Sequence, residues 1–181
     1  MQQPLPVWVG VGGNPNSVVR AASLDLPLAL AIIGGMPEQF APLTELYRRA
    51  HEQLHPASPT PPVAVHSHGF VAATTQEAKA IAYPSVAAAM NTIGRERGWA
   101  PYTRESFEAA TSPRGAFLAG SPAEVAEKIL AQRGHLGHDR FMLHISVGTL
   151  PHADVMRGIE LLGTEVAPAV RAAVASEMAP A

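Results

Sequence analysis

Residues 10–17 read Gly-Val-Gly-Gly-Asn-Pro-Asn-Ser, and here the chain is best equipped to hold an anion. Glycines let a backbone approach a phosphate closely, and Gly12, Gly13, Asn14 and Ser17 stand where a helix begins and its unpaired amides point outward. The same residues also suit a plain strand-to-helix turn, and on spacing alone both readings stand. Two well-known phosphate loops are excluded: a dinucleotide fingerprint needs glycine where Pro15 stands, and a triphosphate loop needs a Gly-Lys-Ser/Thr that is absent. His66 and His68 occupy alternate positions of an apolar run, which puts both imidazoles on one face of a strand. They suit a shared metal ion or a substrate, with His144 conceivable as a third ligand, or they line a strand end bonded to neighbours or water. Arg114, beside Gly115, has the charge to bind an anionic cofactor or substrate, or is an exposed loop arginine without a ligand. No Ser-His-Asp order, paired glycosidase carboxylates or His-Glu-x-x-His sequence emerges, and Trp8 and Trp99 read as packing.

These residues sit at the joints of an alternating pattern. Residues 7–11 form a β-branched run bounded by Pro6 and Gly12-Gly13, a buried strand, and Asn14 to Ser17 open a short helix after it. Residues 27–33 give a second strand, and Pro37 opens a helix with apolar positions Phe40, Leu43, Leu46, Tyr47, Ala50 and Leu54 at helical spacing. After a proline-rich connection, residues 63–72 give a third strand. Thr74 and Glu77 have capping-box spacing, so a helix follows from Thr75 toward Arg97, bent near Pro84. Residues 98–117 read as a long loop with room for one short helix after Thr103. A brief extended segment at 116–119 precedes the strongest helix start, Ser121-Pro122-Ala123-Glu124. Residues 140–146 supply another strand, and a last helix from Pro151 to about Ala175 carries a kink at Pro168.

Strands alternating with helices imply a parallel sheet with right-handed crossovers, an open doubly wound sheet or a β/α barrel. The strands end in small or polar residues that share one edge, where ligands bind in either architecture. A closed barrel needs eight βα units, and this chain has four. The edge strands 7–11 and 140–146 are therefore expected to be unpaired and apolar, which calls for self-association or another covering chain.

With 181 residues, 47% hydrophobic and 15% charged, the chain has material for one ordinary domain and a real core. A net charge of −2 with scattered basic residues points to neither nucleic acid nor a membrane surface as partner. The absence of cysteine removes disulfides and thiol chemistry, and the amino terminus lacks signal-peptide character, so a cytoplasmic protein is expected.

Several strings together carry a family resemblance. Pro6-Val-Trp-Val-Gly-Val-Gly-Gly-Asn-Pro-Asn-Ser-Val-Val-Arg-Ala-Ala22 and Leu26-Pro-Leu-Ala-Leu-Ala-Ile-Ile-Gly-Gly35 resemble the bacterial luciferase-like flavin monooxygenases. Asn91-Thr-Ile-Gly-Arg-Glu-Arg-Gly-Trp99, Pro113-Arg-Gly-Ala116, Gly120-Ser-Pro-Ala-Glu-Val-Ala-Glu-Lys-Ile129 and Leu161-Leu-Gly-Thr-Glu-Val-Ala-Pro168 are similar to their carboxyl half, in the same order. The resemblance implies the fifth to eighth strands of a TIM-like (β/α)8 barrel, in one domain over 1–181. It implies a flavin phosphate on Gly12, Gly13, Asn14 and Ser17, with FMN ahead of a deazaflavin, and a mobile active-site loop over 98–115. Implied too is the oxidation of a small organic substrate by oxygen through reduced flavin. The family's catalytic histidine lies in the first half of the barrel, to which no residue here matches, so the catalytic residue of this chain stays unassigned. The expected partner is a second copy or a separate amino-terminal half-barrel chain. Against the enzyme stands a non-catalytic half-barrel that binds phosphate, flavin or only a partner; a zinc hydrolase through His66 and His68 is a more distant third.

Overall fold

A computed structural model describes Gln3 and residues 5–178. Its strands are β1 (Val9–Val11), β2 (Leu28–Ala31), β3 (Val63–Val71), β4 (Leu118–Gly120) and β5 (Arg140–His144), all parallel. Its helices are α1 (Pro15–Ser23), α2 (Ala41–Leu54), α3 (Thr75–Arg97), α4 (Arg104–Thr111), α5 (Pro122–Leu136), α6 (His152–Leu161) and α7 (Ala167–Met178). The fold is α/β with helices between parallel strands, as the alternating pattern predicts.

β3 is the hub. The Pro62 and His66 carbonyls accept from Leu28 and Ile32, whereas the Val63 carbonyl accepts from Asp139, so even-numbered backbone groups face β2 and odd-numbered ones face β5. Beyond the end of β2 the same even edge is taken over by β4, because the Ala72 amide donates to Gly120. The sheet therefore reads β1, β2, β3, β5, with β4 stacked above β2. Among the described residues, β1 pairs only with β2 and β5 only with β3, which leaves two open edges where the sequence predicts them.

The register sorts the strand residues onto two faces. Val11, Leu28, Leu30, Val63 and Val65 point outward and are buried against Val18, Ala21 and Ala22 of α1 and Tyr47 of α2. Burying each such side chain contributes roughly 1.5–3 kcal/mol. Phe141 and Leu143 continue this face beneath α5 and α7, against Ile129, Val166 and Val170. The alternate residues, including Gly10, Ala29, Ala31, His66, His68, Arg140 and His144, point to the concave side. That side carries no helix over most of its length, and Gly10, Arg140 and His144 are exposed.

Helix boundaries follow local chemistry. Ser121 and Glu124 form the reciprocal capping box at the start of α5, and Thr74 accepts from the Glu77 amide at the start of α3. Pro37 opens a 3-10 turn (Pro37–Phe40) ahead of α2 instead of α2 itself. The kink expected at Pro168 is a π-turn (Leu162–Val166) just before it, where the Ala167 amide reaches back to Leu162. Proline lacks an amide and crowds the carbonyl four residues earlier, so the ladder loosens in the preceding turn. The long segment 98–117 carries one short helix after Thr103, where the sequence left room for it. α4 starts on the Thr103 cap, and its Phe107 is fully buried beside Phe70 and Phe117.

Candidate functional site

The carboxyl ends of β1, β2 and β3 and the concave face below them form one region, entered from the side where helices are missing. At its rim is the turn after β1. Gly13 sits at φ +120°, a conformation that only glycine adopts readily, and a side chain at Gly12 or Gly13 would meet nothing within 4 Å. Asn14 caps α1: its side chain accepts from the Asn16 amide at 2.9 Å, and its carbonyl accepts from Ser17 and Val18. The first helical amides are therefore already spent. Gly12, Gly13 and Asn14 keep theirs free of any acceptor among the described residues, and the Ser17 hydroxyl has no partner there either. The sequence points to the right residues, but the open donors belong to the loop and not to the helix.

Deeper on the concave face, His66 and His68 alternate along β3 as expected, and the register sets His144 of β5 directly opposite His68. The ring centroids lie 6.0 Å apart for His66 and His68, 5.7 Å for His66 and His144, and 5.1 Å for His68 and His144. Burial first, then the His144 and His66 rings, push the His68 imidazole down to about 4; burial and His144 also lower His66. Near neutral pH both are uncharged, each offering one N–H donor and one acceptor to whatever enters. Among the described residues no three His, Asp or Glu side chains are disposed to hold a metal ion, so the metal reading of His66 and His68 is not carried by the structure.

Two further contacts frame the face. At the amino-terminal end of the strands the Arg140 guanidinium lies over the Trp8 ring, 5.1 Å from its centroid. Trp8 precedes β1 and Arg140 opens β5, so this contact spans the floor between the two edge strands. Nothing in residue spacing announces it, because the partners meet only once the sheet has curved. At the other end Phe117 stands 6.4 Å from His68 and stacks edge-on with Phe107, which roofs the face with the 103–117 segment.

Arg114 does not join this group. It is exposed, and both its Nε, at 3.0 Å, and its terminal nitrogen donate to Glu38, whose carboxyl it holds below the usual range. Its position is that of a latch between the 113–115 turn and the 3-10 turn at Pro37.

The sequence profile of the luciferase-like monooxygenases matches residues 1–140. The chain belongs to the luciferase-like monooxygenase family. Several solved structures share the fold. The monooxygenase RslO1 from Streptomyces bottropensis superposes with a TM-score of 0.69 at 24% identity, over 92% of this chain and 49% of that one. The oxygenating constituent of 3,6-diketocamphane monooxygenase from Pseudomonas putida, a type II Baeyer-Villiger monooxygenase in complex with FMN, gives 0.65 at 21%, over 91% and 48%. The coenzyme F420 dependent tetrahydromethanopterin reductase from Methanopyrus kandleri gives 0.63 at 17%, over 91% and 50%. No curated protein matches. This luciferase-like chain thus spans about half the length of the structures it resembles. Among the described residues no helix is long and apolar enough to cross a membrane.

Proposed function

We propose that this luciferase-like chain forms the carboxyl-terminal half of a flavin-dependent monooxygenase barrel and supplies its phosphate cradle and one wall of its substrate chamber. The observation that carries the reading is the turn after β1. An open glycine pair, with Gly13 at positive φ, presents the Gly12, Gly13 and Asn14 amides and the Ser17 hydroxyl, all without partners among the described residues, at the sheet edge where such folds bind ligands. These residues fit a phosphate. A bound FMN supplies the oxygen and electron chemistry, and a deazaflavin is the second candidate because similar folds serve both cofactors.

The rest of the work belongs to the chain. The cradle holds the phosphate through backbone amides and the Ser17 hydroxyl, so near neutrality only the phosphate itself titrates and its dianion is held the more tightly. His66, His68 and His144, uncharged or facing the opening, line the chamber and donate N–H groups to a carbonyl or hydroxyl oxygen of a small organic substrate. Phe70, Phe107 and Phe117 make the end beyond the histidines apolar and keep water from it.

The second reading is a half-barrel that binds phosphate, flavin or a partner chain without turnover. It is favoured by the open concave face and by the length, half that of similar structures. Titration with FMN, followed by flavin fluorescence, is the test: saturable binding abolished by Gly13→Asp is expected. Binding without reduced-flavin-dependent oxygen consumption selects the second reading, and no binding at all overturns the cradle.

A further inference from the structure

Two cavities of about 430 and 440 Å³ adjoin along β5, sharing the walls Ile129, Asp139, Phe141, Val170 and Arg171. The second is lined by Phe141 and Leu143, which point outward, and also by Arg140, which points to the concave face. Among the described residues β5 pairs only with β3, so this space lies along a strand whose other edge is open. Here it is a slot, floored by the free edge of β5 and overhung by α7 with Val170 and Val174 on its wall. The opposite edge of the sheet has the converse shape. Among the described residues β1 is paired on one side only, with β2, and Leu5, Val7 and, on the adjoining α1, Val19 project with 75%, 50% and 40% of their surface exposed.

We propose that two copies of this chain close on one another about a two-fold axis along the barrel, β1 of each entering the slot beside β5 of the other. The geometry favours a second copy because both edges are parallel, each copy brings four strands in line, and two such junctions close an eight-stranded ring with no edge left over. With the outward faces in line, Val7 and Val9 of one copy sit beneath α7 of the other, against Val170 and Val174. A stable dimer of this kind needs the two junctions together to bury the ~1,600 Å² of a standard interface. Closure also completes the chamber, since two sets of His66, His68 and His144 then face one lumen. The inference is independent of flavin binding.

The test uses the whole 181-residue chain and measures solution mass between 1 and 100 µM, by order of magnitude the range over which interfaces of this size assemble. A mass twice the chain's 19.0 kDa is expected. Val7→Asp and Val174→Lys, both at partly exposed positions, should each return a monomer by solution mass that is folded by circular dichroism. Mixing the two variants should restore dimer, because the two introduced charges, opposite in sign, then face one another in one junction and the other junction is unchanged. A folded wild-type chain that stays monomeric overturns the proposal, as does a dimer that only one substitution, or neither, disrupts, or one that mixing does not restore.

Discussion

The two faces of the sheet are built from the same strands and do opposite work. On β3 the outward residues Val63, Val65 and Ser67 are buried under helices, while His66 and His68, one position along, face an open chamber. Outward positions are apolar apart from Ser67; inward positions hold Gly10, Ala29 and Ala31 on β1 and β2, and imidazoles together with Arg140 and Met142 toward β5. The difference teaches that stability and chemistry are separated here by the two-residue period of a strand, so each can change without the other.

That separation can be broken most forcefully from outside. Leu30→Ala, on β2 at a fully buried outward position, should cost ~2–5 kcal/mol in denaturant unfolding; a cost below ~1 kcal/mol would show that the outer face does not carry the fold. Acid is the next lever. His138 is 4% exposed, its Nδ1 has no partner, and burial, then Arg133, push it down to about 4. The unfolded imidazole protonates near 6.5, so between those values the unfolded chain binds more protons. Stability is therefore complete above pH 6.5 and falls as the pH drops toward 4, by on the order of 3 kcal/mol. In His138→Leu this part of the acid profile should flatten, and in His68→Leu by a similar amount, since burial holds both imidazoles at about 4. A smaller effect sharpens the inward side. His144→Ala should raise the His68 titration midpoint seen by NMR, but leave it under 6.5, because burial is the larger cause. Smallest of all, His66→Ala should change unfolding free energy by no more than about 0.5 kcal/mol while altering substrate or flavin binding.

Periodicity was enough to read most of the frame. Alternation in 63–72 located β3 to within a residue, the Thr74 and Ser121 caps located α3 and α5, and the glycine pair located the turn after β1. What escaped was set by contacts between distant residues. The short helix after Thr103 was legible as a possibility within 98–117, but not its length or its packing, because Phe107 gains meaning only against Phe70 and Phe117. Arg114 read as a candidate anion ligand because nothing local reveals Glu38 across the surface. His144 joins His68 only through register, and the Trp8 contact with Arg140 only through curvature.

The use of one strand, β3, as partner to β2, β4 and β5 has a consequence for how the protein is made. β3 leaves the ribosome well before β5, whose pairing partners span Ala64 to His68. At the usual pace of synthesis the wait is roughly 4–15 s, long compared with strand pairing, and throughout it the central strand shows an unoccupied edge to solvent. The most hazardous moment for this chain is thus during translation, and a ribosome pause between residues 72 and 140 should lower its soluble yield more than one placed after 144.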